Sequence, residues 1–124
     1  FLPKKFECTI YADIGNIGHR QDAISIRLID DSRRAGVVGI EISGNGNVGM
    51  FFDPEPTGVV TRTGWYNITI QVQDNNLEMW DVIVNGDKIA ERRTQEIDHI
   101  QLQADAENAG GGWRAFFDDI AVYQ

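Results

Sequence analysis

The residues in this chain that could move a proton or hold an ion are limited by their spacing in what they could do. Glu96, Asp98 and Gln101 stand together in Glu-Ile-Asp-His-Ile-Gln. Retaining glycoside hydrolysis needs two carboxyl groups roughly 5–5.5 Å apart, one to attack and one to carry the proton. The third position here holds an amide, which cannot give up a proton and recover it. Alternation along a strand also puts Glu96 and Asp98 on one side and Gln101 on the other. His19 and His99 are the two histidines; neither falls in a nucleophile–base–acid set, and both read as loop or surface residues. The chain is expected to carry no catalytic residues.

Asp118-Asp119 makes a stronger request for a ligand. In a strand that buries Phe116, Ile120 and Val122, Asp118 shares their side, where an unpaired carboxylate is costly. It would need a cation, an arginine or several backbone N–H groups, and a calcium completed by loop oxygens suits it. Gly44-Asn45-Gly46-Asn47-Val48-Gly49 has the spacing of GxGxxG, but a pyrophosphate site needs a helix to start there. The following Met-Phe-Phe-Asp-Pro-Glu-Pro cannot be that helix, so a glycine-rich hairpin is expected. Cys8, the single cysteine, alternates with Phe6 and Ile10 and reads as a small buried hydrophobe. Asn67-Ile68-Thr69 is a glycosylation sequon placed inside a strand, and reads as chance.

Aromatic side chains and amides offer a different chemistry, that of holding sugars. Trp65, Trp80 and Trp113, with Tyr11 and Tyr66, could stack on the apolar face of a pyranose. Trp80 shares a face with Val82 and Val84 and belongs to the core, and Trp65, following a glycine at a strand entrance, also reads as structural. Trp113, behind Gly110-Gly111-Gly112, is the candidate for an exposed stacking ring.

The elements that must position these residues are strands. From Gly64 to Gly86 the chain reads as a hairpin: Ile68, Ile70 and Val72 alternate with Asn67, Thr69, Gln71 and Gln73. Asp74, Asn75 and Asn76 supply a turn, and the second strand ends at Asn85-Gly86, a strong hairpin signal. Further strands are expected at Phe6–Asp13, Ala23–Ile29, Val37–Ser43, Val48–Phe52, Val59–Thr61, Lys88–Glu91, Ile97–Gln103 and Trp113–Tyr123. Pro54 and Pro56 should bracket an irregular stretch. With no convincing helix and turns at near-regular spacing, residues 1–124 are expected to form one all-β domain, a two-sheet antiparallel sandwich.

At 124 residues, 42% hydrophobic and 24% charged, the chain can bury a core without disulfides. Its net charge of −8 repels phosphate backbones and anionic lipid, so neither nucleic acid nor membrane is an expected partner. Neutral polyols and cations are the easy ligands. The chain opens at Phe1 without a charged-then-apolar leader, as a mature chain or a piece of something larger would.

Four segments, in order, resemble the C-terminal half of concanavalin A-like (laminin G-like) jelly-roll domains. They are Gly-Trp-Tyr-Asn-Ile-Thr-Ile from Gly64, Val-Ile-Val-Asn-Gly from Val82, Ile-Asp-His-Ile-Gln-Leu from Ile97, and Trp-Arg-Ala-Phe-Phe-Asp-Asp-Ile-Ala-Val-Tyr from Trp113. The resemblance runs from Gly64 to Tyr123 and implies two curved antiparallel sheets in an extracellular or cell-surface setting. It also implies a non-catalytic role in binding glycans or proteins, often with a structural calcium, for which Asp118 is the candidate ligand. The expected function is that of a carbohydrate-binding module holding a glycan or polysaccharide. Asn67, Thr69, Gln71 and Gln73 on a concave polar face, with Trp113 from a rim loop, are the expected contacts. The alternatives are a structural or adhesive domain contacting other domains of the same surface protein, and a degenerate β-glucanase. Laminarinase-type glucanases, also β-sandwiches, carry Glu-x-Asp-x-x-Glu where this chain ends the motif in Gln101.

Overall fold

Phe6, Cys8 and Ile10 alternate with polar residues, and all three are buried, which makes Lys5–Ala12 a strand, β1. A computed structural model describes residues 4–12, 23–30, 36–43, 47–50, 56–59, 63–93, 97, 99–105 and 115–124. Among them the remaining strands are β2 (Ala23–Asp30), β3 (Gly36–Ser43), β4 (Asn47–Met50), β5 (Pro56–Val59), β6 (Gly64–Gln73), β7 (Asn76–Val84), β8 (Asp87–Arg93), β9 (His99–Asp105) and β10 (Ala115–Tyr123). They form two five-stranded sheets, ordered β10-β1-β6-β7-β8 and β5-β4-β3-β2-β9. Every pairing is antiparallel. The expected all-β, two-sheet antiparallel sandwich is the architecture found.

The chain starts in the first sheet, builds β2 to β5 in the second, and returns for β6 to β8. It then crosses again for β9 and comes back for β10. One apolar core lies between the sheets. The first sheet contributes Ile10, Ile68, Ile70 and Val82, the second Ile26 and Leu28, and Ile97 enters just ahead of β9. Ile100, Leu102 and Phe117 pack against this cluster. Of the GxGxxG segment, Asn47, Val48 and Gly49 lie in β4, which pairs antiparallel with β3, so these residues are strand and not the start of a helix; residues 44–46 lie outside the described residues. Cys8 sits in the core, where burial pushes its thiol up to about 12.

Two sequence expectations need correction. Alternation assigned Phe116, Ile120 and Val122 to the core, yet all three are about half exposed. The β1–β10 register slips between Glu7 and Thr9: Glu7 pairs with Ala121 and Thr9 with Asp118, leaving Asp119 and Ile120 opposite Cys8. This is a β-bulge, with Asp119 in the left-handed region at φ 51°. The extra residue shifts the side-chain parity, so Phe117, opposite Ile10, is the ring that meets the core. Asp118 is consequently exposed, and the burial that called for a cation does not exist. The second correction concerns Pro56, which begins β5 at the edge of its sheet. A residue without an N–H is tolerated as the first residue of an edge strand, where one flank has no ladder to complete.

Asp119 adopts its φ at modest cost because short polar side chains tolerate that region better than branched ones. In urea unfolding, Asp119→Val should cost about 1–2 kcal/mol and Asp119→Gly close to nothing. Equal losses for both would mean that the side chain, not the backbone, matters there. The native protein should also leave Cys8 unmodified by a disulfide reagent at mildly alkaline pH, with full reaction after denaturation. Rapid labelling of the folded chain would contradict the burial.

Candidate functional site

Ile68 and Ile70 are 0% exposed, so their neighbours on β6 must point away from the core. That outward row is Trp65, Asn67, Thr69, Gln71 and Gln73. On one flank Tyr11, Thr9, Glu7 and Lys5 of β1 pair with the first four of these residues. On the other, Ile83 and Asp81 of β7 face Thr69 and Gln71. Asn67 is exposed, and Thr69, Gln71 and Gln73 are half-buried between their neighbours. The four polar residues expected to bind thus share one outer face of the first sheet. Asn85 secures the start of the row. It takes φ 51° in the Asn85-Gly86 turn, accepts the Asn67 amide on its Oδ1 at 2.8 Å, and donates its own amide to the Asn67 carbonyl at 2.8 Å.

At one end of the row stands an aromatic group. Trp65 is 54% exposed, which corrects its assignment as a structural residue. The signal was present in the sequence: Trp65 has the parity of Asn67, whereas Tyr66 has that of Ile68 and is buried. Tyr11 meets Trp65 edge-on at 5.5 Å and 66°, and meets Phe116 at 5.7 Å and 61°. Such tilted contacts brace the rings. Trp80 is buried in the core as expected. Trp113 lies outside the described residues.

At the other end, near the β6–β7 turn, lies an open groove of about 940 Å³. Lys4, Lys5 and Lys88 border it together with Asp74, Asp81 and Glu91, and Gln71 and Gln73 lie among them. Backbone bonds seat Lys4, whose amide donates to the Tyr123 carbonyl at 2.8 Å and whose carbonyl accepts the Val72 amide at 2.9 Å. Gln73 Nε2 donates to Asp81 Oδ1 at 2.8 Å and to Glu91 Oε1 at 3.2 Å. Lys88 joins the same carboxylates, hydrogen-bonding Glu91 and lying 3.8 Å from Asp81. On the β10 side, Lys5 pairs with Glu7 at 2.8 Å and lies 5.2 Å from the centre of the Tyr123 ring.

Sequence alternation could not reveal this groove. Its parts come from five strands, and only the register of β1, β6, β7, β8 and β10 brings them together. The groove offers many hydrogen-bond donors and acceptors. Glu91 is held ionised there by Lys88, so at neutral pH it carries no proton to donate.

The remaining candidates lie elsewhere. Gln101 and His99 are exposed on β9 of the second sheet; Glu96, Asp98 and His19 lie outside the described residues. At the bulge, Asp118 Oδ1 accepts the Asp119 amide at 2.8 Å, and the Thr9 hydroxyl donates to the Asp118 carbonyl at 3.2 Å. Among the described residues no three histidine, cysteine, aspartate or glutamate side chains converge on a metal position. Asp118 and Asp119 alone do not fit the several-oxygen shell of a calcium.

No family model and no curated protein matches this sequence. Among solved structures, the chain is similar over 100% of its length to a tetrameric galectin from the ball sponge Cinachyrella sp. The TM-score is 0.65, the identity 9%, and 94% of that chain is covered. Over 97% of its length it is similar to a sialidase, with TM-score 0.64 and 12% identity, and it spans 13% of that chain. At these identities the shared property is the fold, a lectin-like β-sandwich.

The ion pairs on the outer face give a pH signature. The hydrogen bond from Lys88 holds Glu91 below its ordinary 4.5 and lifts Lys88 above 10.5; Lys5 and Glu7 shift each other likewise. The glutamate share of this stabilisation is complete above the ordinary carboxyl value and is lost as pH falls through the lowered one. The lysine share is complete below 10.5 and is lost as pH rises through the raised value. All four groups reach solvent, so the contribution is small. In Lys88→Met, the Glu91 carboxyl followed by carbon NMR should titrate closer to 4.5 than in the native chain. An unmoved midpoint would show that Lys88 is not what holds it down.

Proposed function

We propose that this domain binds carbohydrate without cleaving it, as a module of a secreted or cell-surface protein, and that sugar lies on the outward face of β6. One observation carries this reading: an exposed indole heads a straight row of amide and hydroxyl side chains. The face of Trp65 can pack on the apolar C–H surface of a pyranose. Asn67, Thr69, Gln71 and Gln73 donate and accept in the mixed pattern that sugar hydroxyls require. A net charge of −8 favours a polyol over phosphate-bearing partners. That a galectin and a sialidase share the fold supports a sugar ligand.

A structural or adhesive role is the second reading. It is favoured by β10, an edge strand on which Phe116, Ile120, Val122 and Tyr123 are all exposed. A monomer in solution that binds soluble glycan would argue against it.

Glycan-array binding, run with calcium and with chelator, tests the leading reading. The native chain should give specific signals, and Trp65→Ala should weaken the strongest of them about tenfold, or ~1.4 kcal/mol. The Asp118 environment predicts the same signals in both buffers. An array that stays flat in both would remove carbohydrate binding from consideration.

A further inference from the structure

We infer that the ligand is an uncharged, linear polysaccharide laid lengthwise along β6, from Trp65 to the groove at the β6–β7 turn, and not a single terminal sugar. This rests on the carbohydrate reading above and deepens it by fixing the class and extent of the ligand.

Length is the first observation. Trp65 and Gln73 lie eight residues apart on one strand, which at the rise of a β-strand is about 26 Å. A single pyranose would cover only a small part of that span. Each end carries its own recognition feature, a stacking ring at one and a polar groove at the other. Asn67, Thr69 and Gln71 continue between them, so every part of the track offers a hydrogen-bonding group to a chain of linked rings.

Charge is the second. Three lysines and three carboxylates border the groove, a balance of zero on a protein whose net charge is −8. Lys5 is engaged with Glu7 at 2.8 Å, and Lys88 with Glu91 and Asp81. Among the described residues of the groove, an acidic polysaccharide would find only the Lys4 ammonium without a carboxylate partner. It would have to break these pairs to reach Lys5 or Lys88, and would meet an acidic surface while doing so. A neutral chain needs neither. Gln73 holds the Asp81 and Glu91 carboxylates in place, and each keeps lone pairs that can accept from sugar hydroxyls.

Calorimetry with cello-, laminari-, manno- and galacto-oligosaccharides, from disaccharide to hexasaccharide, tests this, with oligogalacturonides as the anionic comparison. For at least one neutral series, affinity should climb with each added ring up to the longest members. Trp65→Ala and Gln73→Ala should each weaken the hexasaccharide about tenfold, and added sodium chloride should leave its affinity unchanged. A disaccharide that binds as tightly as the hexasaccharide, or a hexasaccharide sensitive to one variant alone, would overturn the lengthwise placement. Preference for oligogalacturonides, fading with salt, would overturn the neutral class. Both results would leave carbohydrate binding itself standing, whereas silence from every oligosaccharide and from the glycan array would remove that reading together with this one.

Discussion

Ile68 and Ile70 fill the space between the two sheets, and because a strand alternates, their burial sets the direction of every other residue on β6. A slip of one residue would drive Asn67, Thr69 and Gln71 into the core and push the isoleucines into water. Each buried isoleucine stabilises the fold by about 1.5–3 kcal/mol relative to exposure, and the buried amides would cost more still. The register of β6 is thus fixed by the core, and the polar face is its other consequence. Pairing with β1 and β7 extends the constraint sideways, since Phe6, Cys8, Ile10 and Val82 are buried by the same logic. Lys5, Glu7, Thr9, Tyr11 and Asp81 are left on the outer surface.

The outer face consequently has a gradient of character along one strand. Aromatic rings brace one another at the Trp65 end, neutral side chains occupy the middle, and compensated charges gather at the turn. Acidic groups dominate the protein as a whole, yet in the groove Asp81 and Glu91 sit close to Lys88 and to the Gln73 amide. Such a surface presents hydrogen-bonding groups without a strong field, and so suits neutral ligands rich in hydroxyls.

Most of this fold was legible in the sequence because its strands alternate cleanly. The β6–β7 hairpin follows from Ile68, Ile70 and Val72 and from Asn85-Gly86, and Trp80, Val82 and Val84 fall on the buried side as their spacing requires. Alternation failed at β10, where two phenylalanines and two aspartates stand side by side. A bulge leaves no mark on such a sequence, and with it went the burial expected of Asp118. Trp65 was misassigned for a different reason: its parity pointed outward, but a glycine-preceded tryptophan at a strand entrance suggested packing. The groove was out of reach, because no local pattern tells Lys88 of β8 that it will stand beside Asp81 and Gln73.

The central claim is that the outward row of β6 is the binding surface. Amide chemical-shift mapping during titration with a glycan selected from the array tests it most directly. The account predicts shifts that concentrate on Trp65, Asn67, Thr69, Gln71 and Gln73 and on their neighbours in β1 and β7. Shifts confined to β2, β3, β4, β5 and β9 would place the ligand on the opposite sheet and contradict it.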